Sequence, residues 1–193
     1  AVELDEEAIK ELKKLECDNL ELIHNDILKT DISELAGGER IKVVANIPYY
    51  ITSPIIAHLL GEIDEATHKN RNKISEIILM VQLEVAKRIV ANENSQNKEY
   101  GQLSILSQMW CDVEIIKIVP KNCFMPSPKV DSALVKFTIK NEPKVKITKL
   151  LRKTVKAIFM ARRKSYIFNS VSISLAALGI LFGVAFKISF IAL

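Results

Sequence analysis

The residues best suited to chemistry in this 193-residue sequence are Asn46-Ile47-Pro48-Tyr49. An asparagine side-chain oxygen beside a backbone carbonyl that a proline helps to orient can accept both hydrogens of an aromatic amine. Accepting both hydrogens favours the pyramidal amine and exposes a lone pair that the ring otherwise delocalises. A tyrosine at the end of the motif could stack on the base that carries the amine. Asn46, Pro48 and Tyr49 are therefore candidate catalytic residues for a reaction at a nucleobase amine.

Two acidic residues precede this motif at regular intervals. Glu3, Asp26 and Asn46 each follow an apolar run, and the intervals of 23 and 20 residues each match about one strand–helix unit. Because right-handed crossovers repeat their geometry, we expect the three side chains to line one edge of a parallel sheet. An acid at the position of Glu3 can accept from both ribose hydroxyls, and Asp26 could accept from the amine of an adenine ring. A single acid at a strand end is usually a cap or a surface group, so only the three together indicate a nucleotide-binding site.

Phe124 is a second aromatic residue with a candidate role at the same site. It precedes Pro126 and Pro128, and two prolines so close together exclude a helix and predict a rigid, extended loop. From such a loop Phe124 could stack on the face of the base opposite Tyr49. A lone aromatic residue before prolines packs into the core or the loop about as often, and both interpretations stay open at this point.

Strands alternate with helices along the chain, which predicts an α/β fold with a parallel, doubly wound sheet. The last two strands are hairpin-like and predict an antiparallel edge. The run before Asn46 has the β-branched composition of a buried strand, and Ser53-Pro54 predicts a helix start with Ser53 as N-cap. A polar loop is expected over 64–73. Strands are predicted at 1–4, 20–23, 41–45, 76–81, 113–119 and 133–139, and helices at 6–15, 32–35, 53–60, 83–90, 101–109 and 147–160.

The composition, 49% hydrophobic and 26% charged with a net charge of +4, is that of a folded soluble protein. Ten lysines or arginines and a single acid lie between Lys140 and Lys164. Such a block indicates either phosphate contacts or a solvated helix face, and the charge alone does not distinguish these two interpretations.

The three cysteines and three histidines show no metal-ligand spacing and no disulfide framework, so we predict no metal and a reduced, cytoplasmic setting.

In combination these motifs resemble the small-subunit ribosomal RNA adenine dimethyltransferases (the KsgA/RsmA family), over roughly residues 1–170. The resemblance implies a Rossmann-like fold and methyl transfer from S-adenosyl-L-methionine to the exocyclic N6 amines of two adjacent adenines in a small-subunit (16S) rRNA hairpin loop. It implies a monomer that acts on the 30S subunit in ribosome biogenesis, without membrane association. The matching segments are 2–5, 25–28, 46–54, 81–88, 100–104, 124–132 and 159–164.

The same resemblance implies roles for individual residues. The implied catalytic residues are Asn46, Pro48, Tyr49 and Phe124. The implied cofactor-binding residues are Glu3, Asp26, Ile27 and Asn46. The implied RNA-binding residues are Lys156, Arg162, Arg163 and Lys164.

The sequence also departs from the family's pattern. The family's first strand and its glycine-rich loop, which holds the methionine end of the cofactor, would lie before Ala1, so we expect a fold that lacks its first strand. We accordingly expect this chain to bind S-adenosylmethionine weakly or not at all. Tyr50 stands where the family usually has Asn, and Leu83 where it usually has Lys. We divide the chain into a catalytic domain, 1–142, incomplete at its N-terminus, and the start of a C-terminal helical rRNA-binding region, 143–193, which ends in an atypical apolar tail.

Several alternatives stay open. The apolar tail, 171–193, is compatible with a core helix of a shortened domain, a membrane segment, or a tail outside the family's pattern. A non-catalytic rRNA-binding assembly factor, or an inactive fragment, would retain the basic helix without the glycine-rich loop. A large-subunit rRNA adenine methyltransferase of the macrolide-resistance type, or a DNA adenine methyltransferase, would share a motif similar to the one at Asn46.

Overall fold

The computed structural model describes residues 1–15, 17–95, 99–148 and 150–165, with no side chains described beyond 160. Its strands are β1 (Val2–Glu3), β2 (Ile23–His24), β3 (Ile41–Asn46), β4 (Ile74–Gln82), β5 (Cys111–Val119) and β6 (Ser132–Ile139). They form a two-stranded sheet, β1–β2, and a four-stranded sheet in the order β3–β4–β6–β5. The pairs β1–β2 and β3–β4 are parallel, and β6 runs antiparallel to both its neighbours. The predicted α/β class with an antiparallel edge is confirmed.

The helices follow the predicted order with one addition. Their bounds are α1 (Glu6–Lys13), α2 (Ile32–Leu35), α3 (Thr52–Leu60), α4 (Lys69–Asn72), α5 (Leu83–Val90), α6 (Gln102–Trp110) and α7 (Leu151–Ser165). The addition is α4, which lies in the segment predicted as a polar loop. Its Arg71 is 2% exposed because the guanidinium donates to the carbonyls of Leu60, Glu65 and Ala66 and lies 3.7 Å from the ring centroid of Trp110. A polar residue with several tertiary partners can be buried, which composition alone does not reveal.

The core lies against the four-stranded sheet. Alternate residues of β4 and β6 point into it, as expected for strands with one buried face. Helices α3, α5, α6 and α7 contribute most of the other apolar side chains, and Ile32 of α2 and Ile47 add to them. The best buried members, each at most 1% exposed, include Ile56, Leu59, Ile77, Leu79, Val81, Ile89, Ala133, Val135, Phe137 and Val155.

Strand β3 is less buried than predicted. Ile41, Val43 and Ala45 pack against the core, whereas the alternate residues Lys42 and Val44 are exposed, Val44 by 74%. The sequence analysis predicted a buried strand, and the observed strand packs against the core on one face only. A β-branched composition favours a pleated strand but does not tell one covered face from two.

The start of α3 also differs from the prediction. The helix begins at Thr52, after a 3₁₀ turn over Tyr49–Ile51, so Ser53 lies inside the helix and is not its N-cap. Pro54 is tolerated because first-turn N–H groups have no partner within the helix. The helix is followed by Gly61, which has a φ of +83°, a backbone conformation that favours glycine. A Cβ at this position would lie only 2.8 Å from His68 Cγ, so a larger residue would not fit.

The first residues of the predicted C-terminal region pack on the same core. Leu151 and Val155 of α7 are buried, and the Lys144 N–H donates to the Met109 carbonyl at 2.7 Å. The predicted boundary at 142/143 stays a prediction. The apolar tail, 171–193, lies outside the described residues. Within the described part of the chain, no helix combines the length and apolar character needed to cross a membrane.

Candidate active site

Asn46 is the last residue of β3, opposite Met80 of the parallel strand β4. Its side chain is exposed, and among the described residues no hydrogen bond engages its amide. The next residue, Ile47, is 6% exposed and anchors the turn in the core. The carbonyl of Ile47 likewise accepts no hydrogen bond from the described part of the chain.

The next two carbonyls of the same turn are engaged. The Pro48 carbonyl accepts from the Ile51 N–H at 3.2 Å. The Tyr49 carbonyl accepts from Thr52 Oγ1 at 3.1 Å. The turn therefore leaves neighbouring acceptors open to a ligand, the Asn46 side-chain oxygen and the Ile47 carbonyl, and closes the two that follow.

Tyr49 is held by a residue of β6 at the same edge of the sheet. Its hydroxyl lies 2.6 Å from Ser132 Oγ, a residue 83 positions away. Ser132 is the first residue of β6 and is 0% exposed. Tyr49 is half-buried, while the neighbouring Tyr50 is 86% exposed. The fold thus fixes the ring of Tyr49 beside Asn46 and leaves Tyr50 in solvent.

Phe124 is half-buried and follows a 3₁₀ turn over Lys121–Cys123. The Lys121 N–H donates to Asp131 Oδ1 at 2.9 Å, and the Lys121 carbonyl accepts from Ser127 Oγ at 2.8 Å. The predicted non-helical loop after Phe124 is confirmed. Among the described residues no aromatic ring pairs with Phe124, so its ring is not committed to an aromatic contact within the fold.

Glu3 and Asp26 lie close together because β1 and β2 are parallel and end side by side. Glu3 Oε1 accepts from the Leu4 and Asp5 N–H groups at 2.7 and 2.8 Å. Asp26 Oδ1 accepts from the Leu28 N–H at 2.9 Å. The second oxygen of each carboxylate has no hydrogen-bond partner among the described residues. Ile27, the remaining predicted cofactor residue, packs its side chain against the core.

The structure does not place all three strand-end residues on one hydrogen-bonded sheet. Glu3 and Asp26 end the two-stranded sheet and Asn46 belongs to the other, with no ladder between β1 and β3 in the described residues. The two parts are instead joined by His58 Nε2 of α3, which donates to the Thr30 carbonyl at 2.9 Å. Thr30 Oγ1 in turn donates to the Asp26 carbonyl at 2.9 Å.

The charges next to this link form an ion pair. Asp31 follows Thr30 and accepts from the Lys69 ammonium and from the Ser33 hydroxyl. These two donors lower the pKa of the Asp31 carboxyl to about 2. The pair fixes α2 against α4 and is a structural feature. Among the described residues, no group of three or more His, Cys, Asp or Glu side chains is arranged to hold a metal ion.

The predicted RNA-binding residues lie on α7. Lys156 is exposed and follows the buried Val155, so the helix presents an apolar side to the core and a basic side to solvent. The backbone of Arg162, Arg163 and Lys164 continues the same helix, and their side chains lie outside the described structure.

The sequence analysis assigned no role to three residues that lie near the site. Asp131 and Ser132 were noticed only as part of a matching segment, and His58 only as one of three scattered histidines. A polar pair placed between a proline-rich loop and a buried strand was the available signal for Asp131 and Ser132. His58 had no such signal, because its partner Thr30 lies 28 residues away on another element.

Comparisons with known proteins agree on one family. A family model described as ribosomal RNA adenine dimethylase matches residues 1–177. Proteins named ribosomal RNA small subunit methyltransferase A are similar to this chain, with 40% identity over 172 residues in Clostridium acetobutylicum and 42% over 178 residues in Clostridium botulinum. These matches cover 86% and 89% of this chain but 58% and 60% of the relatives. The chain thus spans about three-fifths of the length of these curated relatives.

Two solved structures resemble the fold. A dimethyladenosine transferase from Plasmodium falciparum is 32% identical with a TM-score of 0.57, covering 72% of this chain and 46% of its own. The 23S rRNA methyltransferase ErmE has a TM-score of 0.58, covering 91% of this chain and 64% of its own. At 24% identity, the likeness to ErmE concerns the fold alone.

Proposed function

Because the chain belongs to the ribosomal RNA adenine dimethylase family, we propose that the protein methylates the N6 amines of two adjacent adenines in a hairpin loop of small-subunit (16S) rRNA. The methyl donor is S-adenosylmethionine and the partner is the 30S subunit during ribosome biogenesis. The observation that carries the proposal is the pair of open acceptors, Asn46 Oδ1 and the Ile47 carbonyl, beside the anchored ring of Tyr49.

The open acceptors suit an adenine amine. Asn46 Oδ1 and the Ile47 carbonyl each accept one amine hydrogen, which favours the pyramidal nitrogen and directs its lone pair out of the ring plane. The same two oxygens stabilise the positive charge that develops on the nitrogen as it gains a bond to carbon. The excess proton then passes to water. Positioning supplies most of the rate, because the lone pair faces the methyl donor only while these oxygens hold the amine.

The strand ends of the two-stranded sheet suit the cofactor. S-adenosylmethionine, when bound, supplies a methyl group on a positively charged sulfur. Glu3 Oε2 would accept from its ribose hydroxyls and Asp26 Oδ2 from its adenine amine, while Ile27 contributes apolar contact. The fit rests on the chemistry of the residues present: two carboxylates at adjacent strand ends, each with one oxygen not engaged by the fold.

The RNA contacts are assigned to aromatic and basic side chains. Tyr49 and Phe124 stack on opposite faces of the target base, which must be unpaired or flipped out of a helix. Lys156 and the basic run 162–164 neutralise phosphates, so affinity for RNA falls as the salt concentration rises.

The proposal is tested by methyl transfer from labelled S-adenosylmethionine to unmethylated 30S subunits, using the intact gene product. We expect transfer to adenine N6 and a loss of about 10²–10³-fold in kcat for Asn46→Ala, the size typical of losing one pre-organised polar group at a reacting atom. Asn72→Ala is the matched control, because Asn72 is exposed at the end of α4 and its side chain has no hydrogen bond among the described residues.

Parallel assays on 50S subunits and on a DNA hairpin of the same sequence separate the other substrate classes. Preferred transfer to either of these would overturn the small-subunit assignment. No transfer by a folded wild-type protein, or equal transfer by Asn46→Ala and wild type, would overturn the catalytic proposal.

A further inference from the structure

The residues Asp131 and Ser132 connect the two loops that carry the aromatic side chains of the site. We propose that they form a positioning junction, with Ser132 fixing the ring of Tyr49 and Asp131 fixing the loop of Phe124. The junction would hold both rings at the separation that a single base requires. This inference rests on the proposed function, because it gives Tyr49 and Phe124 a base to hold.

The first half of the junction is the contact between hydroxyl groups. Tyr49 Oη and Ser132 Oγ are 2.6 Å apart, within the range of a strong O–H···O hydrogen bond. Among the described residues, Ser132 is the one polar partner of the Tyr49 side chain. Tyr49 therefore depends on Ser132 for the position of its ring edge.

Ser132 is a rigid partner. It is 0% exposed and pairs with Gln82 of β4 on one side and Val119 of β5 on the other. A residue paired on both sides within a sheet has little freedom to follow a moving loop. The 3₁₀ turn that contains Tyr49 must adjust to Ser132 and not the reverse.

The second half of the junction is the carboxylate of the preceding residue. Asp131 Oδ1 accepts the Lys121 N–H at 2.9 Å, and the Asp131 carbonyl accepts the Leu83 N–H at 2.9 Å. The Lys121 carbonyl accepts from the Phe124 N–H at 3.3 Å and from Ser127 Oγ at 2.8 Å. The Phe124 loop is thus hydrogen-bonded to the backbone of Lys121, and Asp131 in turn fixes that backbone.

The two anchors are consecutive in the chain, so one peptide unit separates them. A shift of the start of β6 would move both rings together, whereas loss of either hydrogen bond would free one ring alone. A purely structural role, in which the hydroxyl groups only satisfy each other, predicts a change in stability without a change in the chemical step. The two explanations can therefore be separated by kinetics.

The test compares Ser132→Ala, Tyr49→Phe and the double variant of the intact gene product, with unmethylated 30S subunits as substrate. We expect each single variant to lower kcat about five- to tenfold, the size of one lost hydrogen bond, with the KM for S-adenosylmethionine unchanged. The double variant should be no slower than either single variant, because both remove the same bond. Ser132→Thr, which keeps the hydroxyl, should recover most of the rate.

Ser107→Ala is the matched control. Ser107 is another fully buried serine, on α6, and its hydroxyl has no hydrogen-bond partner in the described structure. We expect this variant to keep the wild-type kcat. Asp131→Asn, which keeps an acceptor for the Lys121 N–H, should lose less activity than Asp131→Ala.

The outcomes are distinguishable. Multiplying effects in the double variant, or a Ser132→Ala protein that loses thermal stability but keeps kcat, would overturn the junction. A folded wild-type protein that transfers no methyl group would overturn both the proposed function and the junction. The wild-type assay alone identifies this outcome.

Discussion

The two sheets of this protein carry different parts of the proposed site and are stabilised in different ways. The sheet β1–β2, which ends in the residues assigned to the cofactor, consists of two short strands and half-buried or exposed side chains. The sheet β3–β4–β6–β5, which ends in the residues assigned to the target base, is packed against four helices. Local hydrogen bonds such as those of Glu3 Oε1 shape the first, whereas apolar burial supports the second.

This difference indicates where precision is required. In the proposed function Asn46 and Tyr49 hold an amine in one orientation. They lie on a strand end and a turn that are supported by the core and by Ser132. In the same proposal, Glu3 and Asp26 accept hydrogen bonds from the cofactor and do not position a reacting atom, so a less rigid support is adequate. The His58–Thr30 hydrogen bond and the Lys69–Asp31 ion pair are polar links between the two parts.

The largest effect is expected from the core of the four-stranded sheet. Phe137→Ala removes a fully buried ring of β6 and should lower the free energy of unfolding by about 3–5 kcal/mol. Ile23→Ala, the matched change in β2, should cost only about 1–2 kcal/mol because that side chain is half-buried. Urea unfolding followed by circular dichroism measures both. Equal losses would show that the two sheets depend on the core to the same extent.

The link between the two sheets gives a smaller effect. His58→Phe leaves the Thr30 carbonyl without its donor, at a cost of about 1–2 kcal/mol. Amide hydrogen exchange over residues 23–30 should accelerate by about tenfold, while the amides of β4 keep their wild-type rates. The β4 amides are the internal control. Acceleration in β4 of the same size would mean that His58 stabilises the whole fold and not the link.

Helix α1 tests the local support of the two-stranded sheet. Asp5 Oδ1 accepts from the Glu7 and Ala8 N–H groups at 2.8 and 2.9 Å, as an N-cap does. Asp5→Ala should destabilise α1 by about 1 kcal/mol and accelerate exchange of its amides about fivefold. Asp18→Ala is the control, because Asp18 is exposed and makes no hydrogen bond among the described residues. If the α1 amides of Asp5→Ala exchange at the wild-type rate, the Asp5 N-cap does not stabilise this region.

The smallest effect is a pH dependence of the contact between α2 and α4. The Lys69 ammonium and the Ser33 hydroxyl lower the pKa of the Asp31 carboxyl from 3.8 to about 2. Because the folded-state pKa lies below the unfolded-state value, the carboxylate stabilises the fold above about pH 4 and loses that effect as the pH falls toward about 2. Wild-type protein should therefore lose more stability than Asp31→Asn over this range, as measured by urea midpoints. An equal fall of the urea midpoint in the two proteins would show that ionisation of Asp31 does not stabilise the fold.

Much of the fold could be predicted from the sequence because its signals are local. Periodic apolar residues placed α5 at 83–90, as observed, and the strand before Asn46 to within one residue. The predictions that failed concern features that depend on the surrounding structure. Helix α4 was missed because its buried Arg71 and Asn70 are polar, and their partners lie on other elements. Ser53 was misplaced as a cap because the 3₁₀ turn that precedes α3 has no strong sequence signal.

The sequence by itself determined the chemical groups of the candidate site, since Asn46, Ile47 and Tyr49 are neighbours in the chain and their chemistry follows from their types. Only the tertiary structure decided which acceptors stay open and which side chains hold the aromatic rings. The reason is distance along the chain: Ser132 is 83 residues from Tyr49, and His58 is 28 from Thr30. Such contacts form when strands pair and helices pack, and no local pattern of residues encodes them.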